Sequence, residues 1–110
     1  IPIVAMGDFN DTPSGAQFGL LKGVLINKAD SLSAAGYGTI RYQGAWELID
    51  MFMVSEDLAP GSEMEILQIP FLMTYEKKYP GMKPLRTYSG PRYVGGVSDH
   101  CPIVLCIFGR

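Results

Sequence analysis

Hydrophobic positions alternate between unbroken blocks and periodic stretches along this chain. Residues 1–6 are apolar at every position except Pro2, the mark of a strand buried on both faces. That run stops at Gly7-Asp8-Phe9-Asn10. Asp11-Thr12-Pro13-Ser14 then makes a helix entrance, with Asp11 or Thr12 as cap and Pro13 in the first turn. Phe18, Leu21 and Leu25 follow at helical spacing, joined by Leu20 and Val24, and predict one packing face. Gly36 and Gly38 break the chain again. Residues 39–43 and 46–55 read as two strands joined at Gln43-Gly44-Ala45. The second of these puts Leu48, Asp50, Phe52 and Val54 on one face and Ile49, Met51 and Met53 on the other. Residues 63–69 alternate weakly as a further strand, and residues 70–78 suit a short helix. Residues 80–96 hold three prolines and four glycines, so they predict a long loop or loosely paired strands, and a loop of that length tends to wall a site. Residues 104–108 close the chain as a second fully buried strand.

Composition narrows the class. The chain has 110 residues, enough for one domain or part of one, and 47% of them are hydrophobic against 18% charged. A large core follows, and intrinsic disorder is excluded. The longest apolar runs fall far short of the roughly 20 residues of a membrane helix. The opening Ile1-Pro2-Ile3-Val4 is no initiator sequence, so the chain is expected to be cut from something longer. Any leader would precede residue 1, which leaves secreted, periplasmic and lipoprotein destinations open. Nine Lys and Arg against eleven Asp and Glu give a net charge of −2 and an isoelectric point near 5.2. That balance argues against a protein that holds nucleic acid mainly through its overall field. Cys101 and Cys106 lie five apart in an extended run, on opposite faces and roughly 16 Å from each other at ~3.3 Å per residue. They read as two small buried hydrophobes, and with one histidine they fill no structural zinc site.

Three places could carry chemistry. Asp50 stands in the middle of an apolar strand, where an unpartnered carboxylate costs several kcal/mol, so it must be paired, metal-bound or at a rim. The one histidine, His100, precedes the last apolar run. If the two strands are neighbours, Asp50 fixes the tautomer and orientation of His100, either as half of a catalytic pair or as a structural buried pair. Asp8 and Asn10 leave the first strand on one side of the chain, where an acceptor-only carboxylate beside an amide can hold a water or an oxyanion, or simply build a turn. Asp99 with Asp8 offers hard oxygen ligands for Mg²⁺ or Mn²⁺. Arg86 and Tyr88, in the wall loop, are the candidates for substrate contact. Arg41 and Arg92 read as surface arginines.

Gly7-Asp8-Phe9-Asn10, then Leu48-Ile49-Asp50, then Ser98-Asp99-His100 together resemble the endonuclease/exonuclease/phosphatase superfamily, which includes DNase I-like nucleases. Gly38-Thr39-Ile40-Arg41-Tyr42-Gln43-Gly44, Arg86-Thr87-Tyr88 and Gly95-Gly96-Val97 resemble a branch common in Bacteroides-type bacteria. The resemblance spans nearly the whole chain. It implies an α/β (α+β) fold, the C-terminal half of a four-layered α/β/β/α sandwich, with one mixed, mostly antiparallel sheet and one or two helices on one face. Residues 1–110 would be that half, the N-terminal half being absent.

By the same resemblance, Asp8 orients or deprotonates the attacking water and Asn10 helps to hold the phosphate oxygens. Asp99 belongs to the metal site, His100 contacts the scissile phosphate, and Asp50 orients His100. The reaction implied is hydrolysis of a phosphate ester with Mg²⁺ or Mn²⁺. The family's metal-binding Glu lies in the half without a counterpart here, so the fragment alone is expected to be inactive. Acidic balance favours a phosphatase or phosphodiesterase acting on a small or lipid-like phosphate over a DNA nuclease. A non-catalytic phosphate-ligand-binding module on the same scaffold is the alternative. With one sheet face uncovered, the chain is expected to self-associate, as a dimer.

Overall fold

In the computed structural model, which describes residues 1–108, the first apolar run yields β1 (Val4–Asp8), followed by a six-residue 3-10 turn over Ala16–Leu21. β2 (Ile26–Asn27) and a short helix α1 (Asp30–Ala34) come next, then β3 (Ile40–Tyr42) and β4 (Ala45–Glu47). Gln43 and Gly44 join these last two with φ of 49° and 82°. Two successive left-handed residues match the twist of a two-residue hairpin. β5 (Asp50–Val54), β6 (Ser62–Ile66), β7 (Met73–Glu76), β8 (Gly81–Pro84), β9 (Tyr88–Ser89), β10 (Arg92–Tyr93) and β11 (Ile103–Ile107) complete the order.

Every strand pair is antiparallel. β5 lies at the centre of a three-stranded sheet ordered β1-β5-β2, and the other ladders are the pairs β11·β6, β3·β4, β7·β8 and β9·β10. The class is thus α/β with small antiparallel sheets and short helices, consistent with the fold class expected from the sequence.

The strand covered on both faces is β5, whose Met51, Phe52, Met53 and Val54 are all buried. The two runs expected to be fully buried are not. β1 is an edge strand, and Val4 and Met6 on it are exposed. β11 is half of a two-stranded ladder and leaves Val104 and Ile107 exposed. Apolarity at every position signalled strands that need cover, which these residues do not supply among themselves. The expected helix after Pro13 is only the 3-10 turn. It buries Phe18 against the core and leaves Leu20 in solvent, and it ends at Leu21, so Val24 lies beyond it and is exposed as well. Residues 70–78 form a 3-10 turn (Pro70–Leu72) and β7 rather than a helix. The loop of residues 80–96 resolves into β8, β9 and β10.

One core joins Phe18, Ala29, Leu48, Met51, Phe52, Met53 and Met64, with Phe9 meeting Phe18 edge-on at 5.8 Å. The shape is open. The radius of gyration is 15.4 Å, against about 13 Å for a compact chain of this length. The accessible surface of 7241 Å² likewise exceeds the ~6,000 Å² of a compact monomer of this mass. No helix among the described residues is long and apolar enough to cross a membrane.

Candidate active site

The predicted second strand of the hairpin does not run through to Ser55. It breaks at Leu48 and Ile49, both buried, so Asp50 becomes the first residue of β5 instead of a mid-strand carboxylate. The register of β1 against β5 then sets Asp8 directly opposite Asp50. Residues opposite each other in an antiparallel ladder project to the same side. The Phe9 amide donates to the Ile49 carbonyl at 2.9 Å and carries the pairing one step past the strands.

His100 arrives from the other end of the chain. The Cys101 amide donates to the Thr39 carbonyl at 2.7 Å, and Ile40 bridges His100. His100 Nδ1 lies 2.7 Å from Asp50 Oδ2. A carboxylate only accepts, so Nδ1 carries the hydrogen and Nε2 is left as the ring's outward atom. Asp8, Asp50 and His100 each offer a ligand atom, and these atoms all lie within 4.8 Å of one another.

Asn10 sits in the left-handed region with φ of 54°, which asparagine tolerates, and its amide donates to Asp8 Oδ1 at 2.8 Å. Asp8 therefore keeps its second oxygen free of that turn. Asp99 is not gathered into the cluster; its Oδ1 is 3.7 Å from His100 Nε2, too long for a hydrogen bond. Arg86 lines a separate groove that includes none of Asp8, Asp50, Asp99 or His100, and Tyr88 packs edge-on to Tyr93 at 5.6 Å. Arg41, read as a surface residue, is a correction. Its side chain is only 7% exposed and is paired with Glu76 at 3.1 Å, because β8 packs against β3 and encloses it.

Two positioning residues were not singled out from sequence. Thr39 is fully buried, and its Oγ1 accepts from the amides of Ile49 at 3.1 Å and Asp50 at 3.3 Å, where β4 gives way to β5. One residue thus ties the hydroxyl side to Asp50 and the carbonyl side to Cys101. Ser98 Oγ accepts the His100 amide at 3.0 Å. Ser98 was legible as local turn chemistry two residues before the histidine; Thr39 carries no such signal, since its partners are remote in sequence. Burial, followed by the charge of Asp50, pushes the Cys101 thiol above its ordinary range. Both cysteines are free thiols.

The donor chemistry suits a hard divalent cation in part. Mg²⁺ commonly takes one or two carboxylates and keeps several waters. Asp8 can supply one such carboxylate, whereas Asp50 and His100 direct their facing atoms at each other and Asp99 stands outside the cluster. The chain matches the Endonuclease/Exonuclease/phosphatase family over residues 1–108, and it belongs to that family. At the family level this makes it a hydrolase of the phosphoesterase kind. No curated protein and no solved structure matches the chain.

Proposed function

We propose that Asp8, Asn10, Asp50, Asp99 and His100 form this chain's share of the active site of a divalent-metal-dependent phosphate-ester hydrolase. The observation that carries the reading is the Asp50–His100 contact at 2.7 Å, set directly across the ladder from Asp8. Asp50 holds the imidazole with Nε2 outward, where it can meet a phosphoryl oxygen or a leaving group. Asp8, turned by its bond to the Asn10 amide, keeps one oxygen to orient a water or take its proton. The Asn10 side-chain amide stands at the same turn and can donate to a phosphoryl oxygen. Asp8 and Asp99 would hold Mg²⁺ or Mn²⁺, which when bound offsets the charge that builds on the phosphoryl oxygens.

In this reading residues 1–110 correspond to the C-terminal half of the family domain, and a first half supplies the remaining metal ligand. Val4 and Met6 on β1 and Ile26 on β2 are exposed on one face of the sheet, with Val4 and Ile26 both opposite Val54. That apolar row is where the first half, or a second copy of this chain, would seat.

The test is hydrolysis of an aryl phosphodiester and an aryl phosphomonoester with Mg²⁺, Mn²⁺ or EDTA, on this chain and its full-length parent. Activity in the parent that EDTA abolishes and His100→Ala removes supports the reading. Activity in the parent that survives both overturns it. Silence in both proteins shifts the assignment to a phosphate-binding module without chemistry.

A further inference from the structure

Charge is not spread evenly over this chain. Four of its nine Lys and Arg, namely Arg41, Lys78, Lys83 and Arg86, line one groove of about 410 Å³ between the β3–β4 hairpin and β8, with Glu76 as the only carboxylate lining it. In a chain of net charge −2, one concavity thus carries four cations against one carboxylate.

The groove is built rather than accidental. The Arg41 guanidinium is anchored by Glu76 Oε1 at 3.1 Å and by the Pro80 carbonyl at 3.1 Å. It lies over Gly81, which has φ of 148° and where a Cβ would come within 2.7 Å of Arg41 Nη2. Lys83 Nζ shares the same Glu76 through Oε2 at 3.3 Å. Two cations thus spend the single carboxylate. Lys78 and Arg86 have no carboxylate within ion-pair distance among the described residues. Thr74 and Ser89 add hydroxyl donors, and Tyr42 and Tyr79 add aromatic walls. Such a set is complementary to an anion with several oxygens.

The groove and the candidate site share a strand. Ile40 bridges His100, and Arg41 follows on the same strand with its side chain on the other face. One backbone step of ~3.3 Å therefore separates the residue bridged to His100 from the residue that anchors the groove. We infer that this groove binds a second, non-reacting phosphate group of the substrate. The assignment to substrate rests on the hydrolase reading above, whereas anion binding by the groove does not.

The experiment is an amide-resolved NMR titration of the protein with inorganic pyrophosphate at physiological salt, in the absence of divalent metal. Saturable shifts at Gln43, Lys78, Lys83 and Arg86 are expected. The double variant Lys83→Gln/Arg86→Gln should weaken binding by about tenfold or more, while Lys22→Gln, a lysine outside the groove, should leave it unchanged. Shifts that stay linear with concentration, or a double variant that binds as well as the parent protein, overturn the proposal. Because no bond is broken in this titration, it reads the groove separately from hydrolysis. Competition identifies the source of the phosphate. Displacement of pyrophosphate by a short oligothymidylate assigns it to a polymer, and displacement by glycerol phosphate alone assigns it to a compact ester. Displacement by neither rejects a substrate role.

Discussion

Thr39→Val isolates the residue that holds the two halves of the candidate site together. Valine keeps the shape and removes the oxygen, so the change acts through hydrogen bonds and not through volume. It strips the acceptor from two backbone amides, those of Ile49 and Asp50, at a residue with 0% exposure. An unsatisfied buried donor costs about 1–3 kcal/mol. The Asp50 bond is the longer of the two, at 3.3 Å, and Asp50 is only half-buried, so its amide can recruit water. The sum is therefore about 2–4 kcal/mol, from the lower part of that range for each amide. For a domain of this size it lowers Tm by roughly 10 °C or more. Thr39→Ser keeps the oxygen and loses one methyl, for about 1 kcal/mol. Paired urea and thermal unfolding of the two variants makes the comparison. The His100 Nδ1–H proton resonance, observed by NMR, reports whether the contact with Asp50 survives. Valine within about 0.5 kcal/mol of the parent protein, or serine as damaging as valine, would refute the assignment of Thr39 as an acceptor at this junction.

On the proposed reading, His100→Ala and Asp8→Asn should each cut turnover of a protein that joins this chain to the family's first half by several orders of magnitude. Asp8→Asn should do so with little change in Tm and His100→Ala with a lower Tm, since it leaves the Asp50 carboxylate without its partner; a variant that keeps turnover removes that residue from the site. Gly96→Ala should destabilise severely and displace the Ser98-Asp99-His100 segment. An added Cβ would be driven into the Leu85 and Arg86 carbonyls, while the Gly96 amide donates to Arg86 at 3.1 Å; a thermal melt matching the parent protein counts against that packing. Cys106, half-buried, should react with a thiol reagent at mildly alkaline pH much faster than Cys101, whose thiol is buried and holds its proton to higher pH. Equal rates would contradict the burial of Cys101. Light scattering on the isolated chain should give a mass above 12.0 kDa, and a monodisperse monomer that binds no apolar dye would remove the exposed row on β1 and β2 as a contact surface.

Chemistry was more legible than architecture in this sequence. Asp50 stood out because a carboxylate among Ile49, Met51 and Phe52 has few affordable environments, and His100 was the one imidazole able to meet it. The structure does bring them together. What local pattern could not give was the break at Leu48-Ile49. Both residues are apolar and continue the alternation, so nothing in the string distinguishes a strand that bends there from one that runs on. The bend is imposed from outside by Thr39, nine residues upstream of Leu48. The same limit explains β1 and β11. An apolar run reports that a strand requires cover, and says nothing of which residues provide it. Arg41 failed in the opposite direction. A lone arginine in a hairpin strand is ordinarily solvated, and only the packing of β8 with Glu76 encloses it.

The β3 strand gives these separate observations a common cause. Its first flank, Thr39, fixes Asp50 through the hydroxyl and Cys101 through the carbonyl; Ile40 bridges His100; Arg41 anchors the basic groove. Three residues in extended chain thus link the Asp50–His100 pair to the place where a further anion would sit. Extended backbone transmits position well, because a ladder shifted by one residue would turn every side chain to the wrong face. The tight Gln43-Gly44 turn fixes the register of β3 against β4, and with it the placement of all three contacts. A substitution at Gly44 should therefore reach further than its surface position implies. Gly44→Val forces a β-branched residue into φ of 82° and sets its Cβ 3.1 Å from that of Tyr79. Loss of pyrophosphate binding and loss of the His100 Nδ1–H resonance should appear together in that variant. If the groove failed while the Asp50–His100 contact persisted unchanged, β3 would be two independent anchors and not one strut.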